Sequence, residues 1–304
     1  GYLKKIIKSN NYEFWHFIFL NHKCLILIDC LKQLNQKVLV TFQGADIQVD
    51  QQINYGFRIN KKYDKNLKRV LNKIDHFFYI SQTIKKDLVD LNISEKKMSY
   101  APNSVEIEKF KNFHDLRLKS EKLRLITVAR YAPKKKGYDK LFYIGKELIQ
   151  KKIDFEWKII GAGTDKLKSH EFIKKNKDHF KIYRNIENSD ETYFPHSNLI
   201  KLYLDSDIYI NLARIESFGI TLIEALASQI PIITYDTKGA NEIVIDNVNG
   251  YLIKNDEYLI KKILEISKNR KIINDMKNNL LNTILKYDLN LVTEKYEKLR
   301  NKIN

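Results

Sequence analysis

Residues 205–250 read DSDIYINLARIESFGITLIEALASQIPIITYDTKGANEIVIDNVNG, and this stretch decides the fold. The β-branched run Ile208–Ile210 predicts a strand, a helix opens near Ile220 or Thr221 and runs to Ser228, and Pro231–Thr234 predicts a second strand. Strand, helix and strand at this spacing make a βαβ unit, whose two strands lie parallel. Ligands of open parallel sheets gather beyond the carboxyl ends of the strands. Chemistry is therefore expected in the loop that carries Arg214, Glu216, Ser217, Phe218 and Gly219. Amide groups at the helix start lack intrahelical partners and favour an anion or a polar oxygen, and Gly219 lets a ligand come close to the backbone. Glu216 lies in the loop and Glu224 a turn inside the helix, so both can face a ligand lying across the helix start and accept hydrogen bonds from sugar hydroxyls. The spacing equally admits Glu216 as a complement to the helix dipole and Glu224 as an ordinary surface residue.

The same alternation extends in both directions. Tyr12–Phe19, Lys37–Phe42, His76–Ile80 and Lys97–Tyr100 predict strands, followed after a break by Leu123–Ala129, Phe155–Ile160, Lys181–Tyr183 and, beyond the opening stretch, Gly250–Ile253. Amphipathic segments such as Lys62–Lys73, Thr83–Leu91 and Tyr138–Gln150 lie between them. The break, Pro102–Glu121, is charged and poor in apolar residues, as a linker is. An α/β protein with parallel sheets follows: a first domain over 1–112, a second over 113–285, and a charged helical segment over 286–304.

At 304 residues and 43% hydrophobic, the chain has material for two cores and is not a disordered polymer. Two cysteines, Cys24 and Cys30, exclude a disulfide framework and a Cys-rich zinc site, and fit a reducing compartment. The apolar runs Phe14–Leu20 and Cys24–Leu31 fall short of the ~20 residues a spanning helix needs. No signal-peptide pattern is visible, so a cytoplasmic, soluble protein is expected, and the Gly at position 1 in place of Met reads as a trimmed start. Lys and Arg outnumber Asp and Glu by 54 to 37, a net charge of +17. That excess favours anionic partners such as phosphorylated ligands or an anionic membrane surface, although scattered lysines can also reflect general lysine richness. Nucleic acid is set aside, because the lysines belong to no module with interleaved aromatics.

A second constellation is Thr127–Tyr138, TVARYAPKKKGY. A strand ends at Ala129 and Arg130 follows; Lys134, Lys135, Lys136 and Gly137 lead into the next helix. Cations at a helix start oppose the dipole preference for anions there, so an anionic ligand between Arg130 and Lys136 is expected, a diphosphate above all. Lys134 and Lys135 read as solvated.

These two segments together resemble the family 4 retaining glycosyltransferases of GT-B architecture. The resemblance rests on Arg130 after the strand, Lys136-Gly137, the pair Glu216 and Glu224 with Phe218-Gly219 between them, and Pro231–Gly250 with its Gly-x-x-Glu and Asn-Gly turns. Ser81 and Ala101-Pro102-Asn103 add weaker matches. It implies a GT-B fold of two facing Rossmann-like domains. It implies that Arg130 and Lys136 bind the donor diphosphate and stabilise the leaving group, and that Glu216 acts with them in catalysis. Glu224 would bind the nucleotide ribose, and Phe218, Gly219, Ile220 and Thr221 would complete the donor site. It implies no metal and no cofactor beyond the nucleotide-sugar co-substrate. A UDP-sugar is favoured as donor, and a glycan, lipid or lipid-linked molecule of cell-envelope polysaccharide synthesis as acceptor, with a peripheral place at the inner face of the plasma membrane.

Two departures stand out. Gln43 occupies the position where the family commonly has His, so any proton role there is lost while hydrogen bonding remains. Gln43, Gly44 and Asp46 are the acceptor-side candidates; Asp46 can substitute in part for the missing His or can cap the turn after Gly44. The 42 residues before Gln43 contain no glycine-rich turn, so the first domain is expected to be short or truncated. Gly161-Ala162-Gly163 lacks the third glycine of a dinucleotide fingerprint and is expected to border the nucleotide. Asp205-Ser206-Asp207 is expected to cap local structure rather than hold a metal. A nucleotide-sugar epimerase and a non-catalytic glycan- or sugar-nucleotide-binding module are the competing readings. The segment Phe14–Leu31 admits two: a membrane-docking surface, or a buried strand and helix.

Overall fold

The computed structural model describes residues 2–10, 12–113, 120–184, 186 and 195–303. Part of the expected linker, 114–119, lies outside them. The chain divides into two compact units: Gly1–Asn103 together with Leu291–Asn304, and Ser104–Asn290. The sequence set the first boundary at 112 and kept 286–304 apart; in the structure the division falls at 103/104, and 291–304 counts with the first unit.

The first unit holds a four-stranded parallel sheet of β1 (Trp15–Phe17), β2 (Val38–Phe42), β3 (His76–Tyr79) and β4 (Met98–Tyr100), in sequential order. β2 is central and buried throughout. Helix His22–Gln33 turns Leu25, Ile28 and Leu31 inward, and helix Lys61–Leu71 adds Tyr63, Leu67 and Val70. Asn side chains start both helices: Asn21 accepts from the amides of Lys23 and Cys24, and Asn60 from those of Lys62 and Tyr63. Phe14–Leu31 is thus β1 and a packed helix, with Ile18 and Ile26 left exposed. The first strand is shorter than the expected Tyr12–Phe19: among the described residues it pairs with β2 alone, Trp15–Phe17 against Val38–Val40. The C-terminal helix, Leu289–Ile303, begins at the end of the second unit and continues in the first, where Tyr296 stacks on His16.

The second unit holds a six-stranded parallel sheet of β5 (Leu123–Val128), β6 (Phe155–Ile160), β7 (Phe180–Tyr183), β8 (Ile208–Asn211), β9 (Ile232–Tyr235) and β10 (Gly250–Ile253). Their spatial order, β10-β9-β8-β5-β6-β7, is the doubly wound arrangement of dinucleotide-binding domains. The strand order reverses between β5 and β8, and a crevice opens there at the carboxyl ends. One core cluster runs through the sheet and its helices, from Trp157 and Phe155 to Ile263 and Ile266. Trp157 donates its indole N–H to Thr127, whose hydroxyl in turn donates to the Ile210 carbonyl, so the polar atoms inside this core are satisfied.

At the amino ends of the same strands, Arg124 binds Asp205 and Asp207, Lys158 binds Asp205, and Arg270 reaches Asp207 at 3.2 Å. The Asp-Ser-Asp stretch therefore serves an ion-pair network at the end of the sheet remote from the crevice. No helix among the described residues is long and apolar enough to cross a membrane.

Candidate active site

The loops after β5 and β8 meet at the reversal point. After β5, residues 133–136 form a single helical turn, and Gly137 takes a left-handed conformation before helix Tyr138–Gln150. A side chain at 137 would meet the Leu212 carbonyl at 2.0 Å, so only glycine lets the two loops close on one another. That contact delivers Lys136 to Glu216, with Nζ to Oε2 at 2.8 Å in a largely buried ion pair. Gly239, after β9, presses against the Glu216 carbonyl from the other side, where an added Cβ would lie 2.2 Å away. Glu216 is thus held at its backbone by the close approach of Gly239 and at its carboxylate by the Lys136 ammonium.

Arg130 stands exposed just beyond β5 and meets no carboxylate among the described residues. Lys135 departs from the solvated reading. It is half-buried, and burial together with the neighbouring Lys136 and Arg130 pushes its ammonium down to about 8. Three cationic groups, two of them near-neighbours of Glu216, therefore converge where the sheet reverses, and a ligand that carries two or more negative charges would relieve their mutual repulsion. Among the described residues, no group of three or more His, Cys, Asp or Glu is placed to hold a metal ion.

Glu224 lies one turn inside helix Ile220–Ala227 and is buried. The Tyr203 phenol donates to it at 2.8 Å, and burial raises its carboxyl to about 7. It is not an ordinary surface residue. The Tyr209 phenol lies close enough to both Glu216 and Glu224 to be raised by each of them. Tyr209 also bonds Thr221 at 2.7 Å and the Val128 carbonyl at 3.1 Å, which ties the helix start to the end of β5 and occupies the Thr221 hydroxyl. Phe218 is buried edge-on against Tyr287, so it offers a ligand its backbone alone. Gly219 caps the helix at φ +100° without a side-chain hydrogen bond, and the exposed Ile220 follows it. The Tyr131 amide donates to the Ala162 carbonyl at 2.8 Å, which lays the Gly161–Gly163 turn beside the Arg130 loop.

In the first unit, Asp46 is fully buried. Its carboxylate accepts from the amides of Leu20 at 3.1 Å, Gln43 at 3.1 Å and Gly44 at 2.8 Å. Of the two roles the sequence left open, the structure realises the cap, and Asp46 offers no oxygen to an acceptor. Gln43 is half-exposed and lines a cavity of about 260 Å³ with Thr41, Asn103, His16 and Tyr296. His16 lies against the same cavity. Its two ring nitrogens contact Thr41 and Tyr296, each at 2.8 Å, and burial lowers it to about 4, so it is neutral near pH 7.

A doubly wound sheet with cations and a carboxylate gathered at its reversal point is the architecture of the open α/β folds that take ligands beyond the carboxyl ends of their strands. The chain belongs to the glycosyl transferases group 1 family, whose sequence model matches residues 108–282. It is 29% identical over 225 residues to the UDP-N-acetylglucosamine–peptide N-acetylglucosaminyltransferase GtfA subunit of Streptococcus agalactiae, covering 72% of this chain and 42% of the relative. It is 27% identical over 227 residues to a poly(glycerol-phosphate) alpha-glucosyltransferase of Bacillus subtilis, covering 73% and 31%. The chain thus spans less than half the length of either. A solved glycosyltransferase from Rickettsia africae superimposes with a TM-score of 0.74 at 22% identity, over 99% of this chain and 79% of the other. The fold is GT-B, as the resemblance implied.

Proposed function

We propose that the chain carries retaining glycosyltransferase activity, moving a sugar from a nucleotide-sugar donor, a UDP-sugar by preference, to a glycan, lipid or lipid-linked acceptor in cell-envelope polysaccharide synthesis. The observation that carries this reading is the Lys136–Glu216 pair at the strand reversal, inside the family-matched segment. The donor names of relatives such as the Streptococcus agalactiae subunit support the choice of UDP.

The donor diphosphate takes up Lys136 and Arg130 as the sugar–phosphate bond breaks, and these cations offset charge developing on the leaving oxygen. Lys135 adds to the field. Glu216, freed from Lys136 by the diphosphate, accepts from hydroxyls of the transferred sugar, and the backbone amides from Phe218 to Thr221 hold the phosphate and sugar oxygens. Glu224, braced by Tyr203, accepts from the ribose. The basic side chains can carry the diphosphate's charge, which supports a reaction with no metal or cofactor other than the co-substrate. Gln43 orients the acceptor by hydrogen bonds and moves no proton. A cytoplasmic place at an anionic membrane surface belongs to the same reading, supported by the net charge of +17 and the exposed Ile18 and Ile26.

Incubation with UDP-, GDP- and ADP-linked sugars, followed by thermal shift and by donor consumption with candidate acceptors, tests it. Stabilisation by UDP-sugars and an axial product from an axial donor are expected. Donor binding without turnover would favour a binding module instead, and product from an epimerised donor an epimerase. Co-sedimentation with anionic vesicles at low salt, lost at high salt, checks the membrane part.

A further inference from the structure

We infer that Arg214 is a positioning residue for Lys136, acting through Asp139; the inference rests on the glycosyltransferase reading above and extends it. Arg214 lies two positions before Glu216, in the loop after β8, and Asp139 lies in the first turn of helix Tyr138–Gln150. The guanidinium grips both carboxylate oxygens, Nη1 to Oδ1 at 2.7 Å and Nη2 to Oδ2 at 2.6 Å. The same Nη1 donates to the Lys134 carbonyl at 2.8 Å, and the Arg214 amide donates to the Lys135 carbonyl at 3.0 Å. Four hydrogen bonds therefore fasten segment 134–139 to the loop of Glu216, on both sides of Lys136.

This fastening and the Lys136–Glu216 pair divide the work. Arg214 and Asp139 are both partly exposed, so their ion pair contributes little to global stability. Its geometry is what matters: a planar two-pronged contact fixes orientation as well as distance. When the diphosphate draws Lys136 away from Glu216, the Arg214 clamp remains, with the Gly137–Leu212 backbone contact, to hold the 133–137 turn in place. A lysine at 214 would supply a point charge and could not span two carboxylate oxygens and a carbonyl together.

The test uses the whole chain as Arg214→Ala, Arg214→Lys, Asp139→Ala and the double variant Arg214→Ala/Asp139→Ala. Hydrogen exchange over residues 133–139, measured without ligand, should be faster in Arg214→Ala and Asp139→Ala, and no faster still in the double variant, while the thermal midpoint barely moves. Turnover at saturating donor should fall by roughly 10–100-fold, the scale of a misplacement of about 1 Å, with a smaller change in KM. Arg214→Lys should behave like Arg214→Ala. Binding of UDP, GDP or ADP alone should weaken in the same pattern. If Asp139→Ala exchanges and turns over like the wild type while Arg214→Ala fails, Arg214 contacts the donor directly and the positioning role is wrong. Additive losses in the double variant would overturn it as well. Should the wild type bind none of the three nucleotides, the glycosyltransferase reading falls, and the exchange comparison still decides whether Arg214 fastens the turn.

Discussion

The turns at the ends of β2 and β8 are made of similar parts and end up opposite in character. Each follows a buried strand with a glycine and a carboxylate: Gly44 and Asp46 after β2, Glu216 and Gly219 after β8. Asp46 folds back on the amides of its own turn and on Leu20, which consumes its oxygens and closes the turn. Glu216 finds its partner 80 residues away, on another loop, in an ammonium that a more highly charged ligand can draw off. Asp46 is held by the amides of its own turn, whereas Glu216 depends on an ammonium brought in from another loop.

Removing the exchangeable partner should have the largest effect. Lys136→Ala is expected to lower turnover at saturating donor by roughly 100–1000-fold, or about 2.7–4 kcal/mol, with Arg130→Ala close behind. Thermal unfolding of Arg130→Ala should resemble the wild type, because that side chain is exposed, while Lys136→Ala leaves the largely buried Glu216 carboxylate unpaired and should keep the fold at a lowered midpoint. Wild-type rates in the two variants would remove the diphosphate assignment.

Asp46→Ala should do the reverse. It leaves buried amides without an acceptor, at a cost of about 1–3 kcal/mol in stability. Urea unfolding reads that loss, while UDP affinity should stay at the wild-type value. A stable Asp46→Ala variant with impaired turnover would return Asp46 to the acceptor side.

Glu224 stands between these two extremes and sharpens the contrast through pH. Its carboxyl is raised from 4.5 to about 7 by burial, so the folded chain holds the proton more tightly than the unfolded chain over that interval. Its contribution to stability is therefore full below pH 4.5 and is lost as pH rises through 7. Glu224→Gln cannot titrate, so its stability relative to wild type should improve from about pH 4.5 to about pH 8. Asp46, raised to about 6 by burial, titrates in both proteins and cancels in the comparison. A difference that stays flat with pH would mean that Glu224 ionises normally.

The ten strands among the described residues were legible from β-branched and aromatic runs, most within a residue of their ends, because parallel strands buried on both faces read as continuous apolar segments. Arg130, Lys136, Glu216 and Glu224 were legible as candidates because each lies in a loop or helix start that follows a strand. What the sequence hid is contact at long range. The Arg214–Asp139 clamp joins residues 75 apart, and the burial of Lys135 depends on a neighbouring loop rather than on its own run of lysines. Asp46 stayed open between an acceptor-side role and a turn cap because nothing in Gln43–Asp46 tells how completely that turn will be buried. His16 had no visible company for the same reason: its partner Tyr296 is 280 residues away.

That last separation bears on how the protein is made. The first unit is interrupted in sequence by the whole of the second and resumes at residues 291–304. On a ribosome adding roughly 5–20 residues per second, Tyr296 emerges some tens of seconds after His16. Until then the face of the sheet that carries His16 and Phe78 has no ring to stack on it. The second unit, contiguous from 104 to 290, can fold during that wait, so His16 and Phe78 gain their Tyr296 contact after a later-made unit is already in place.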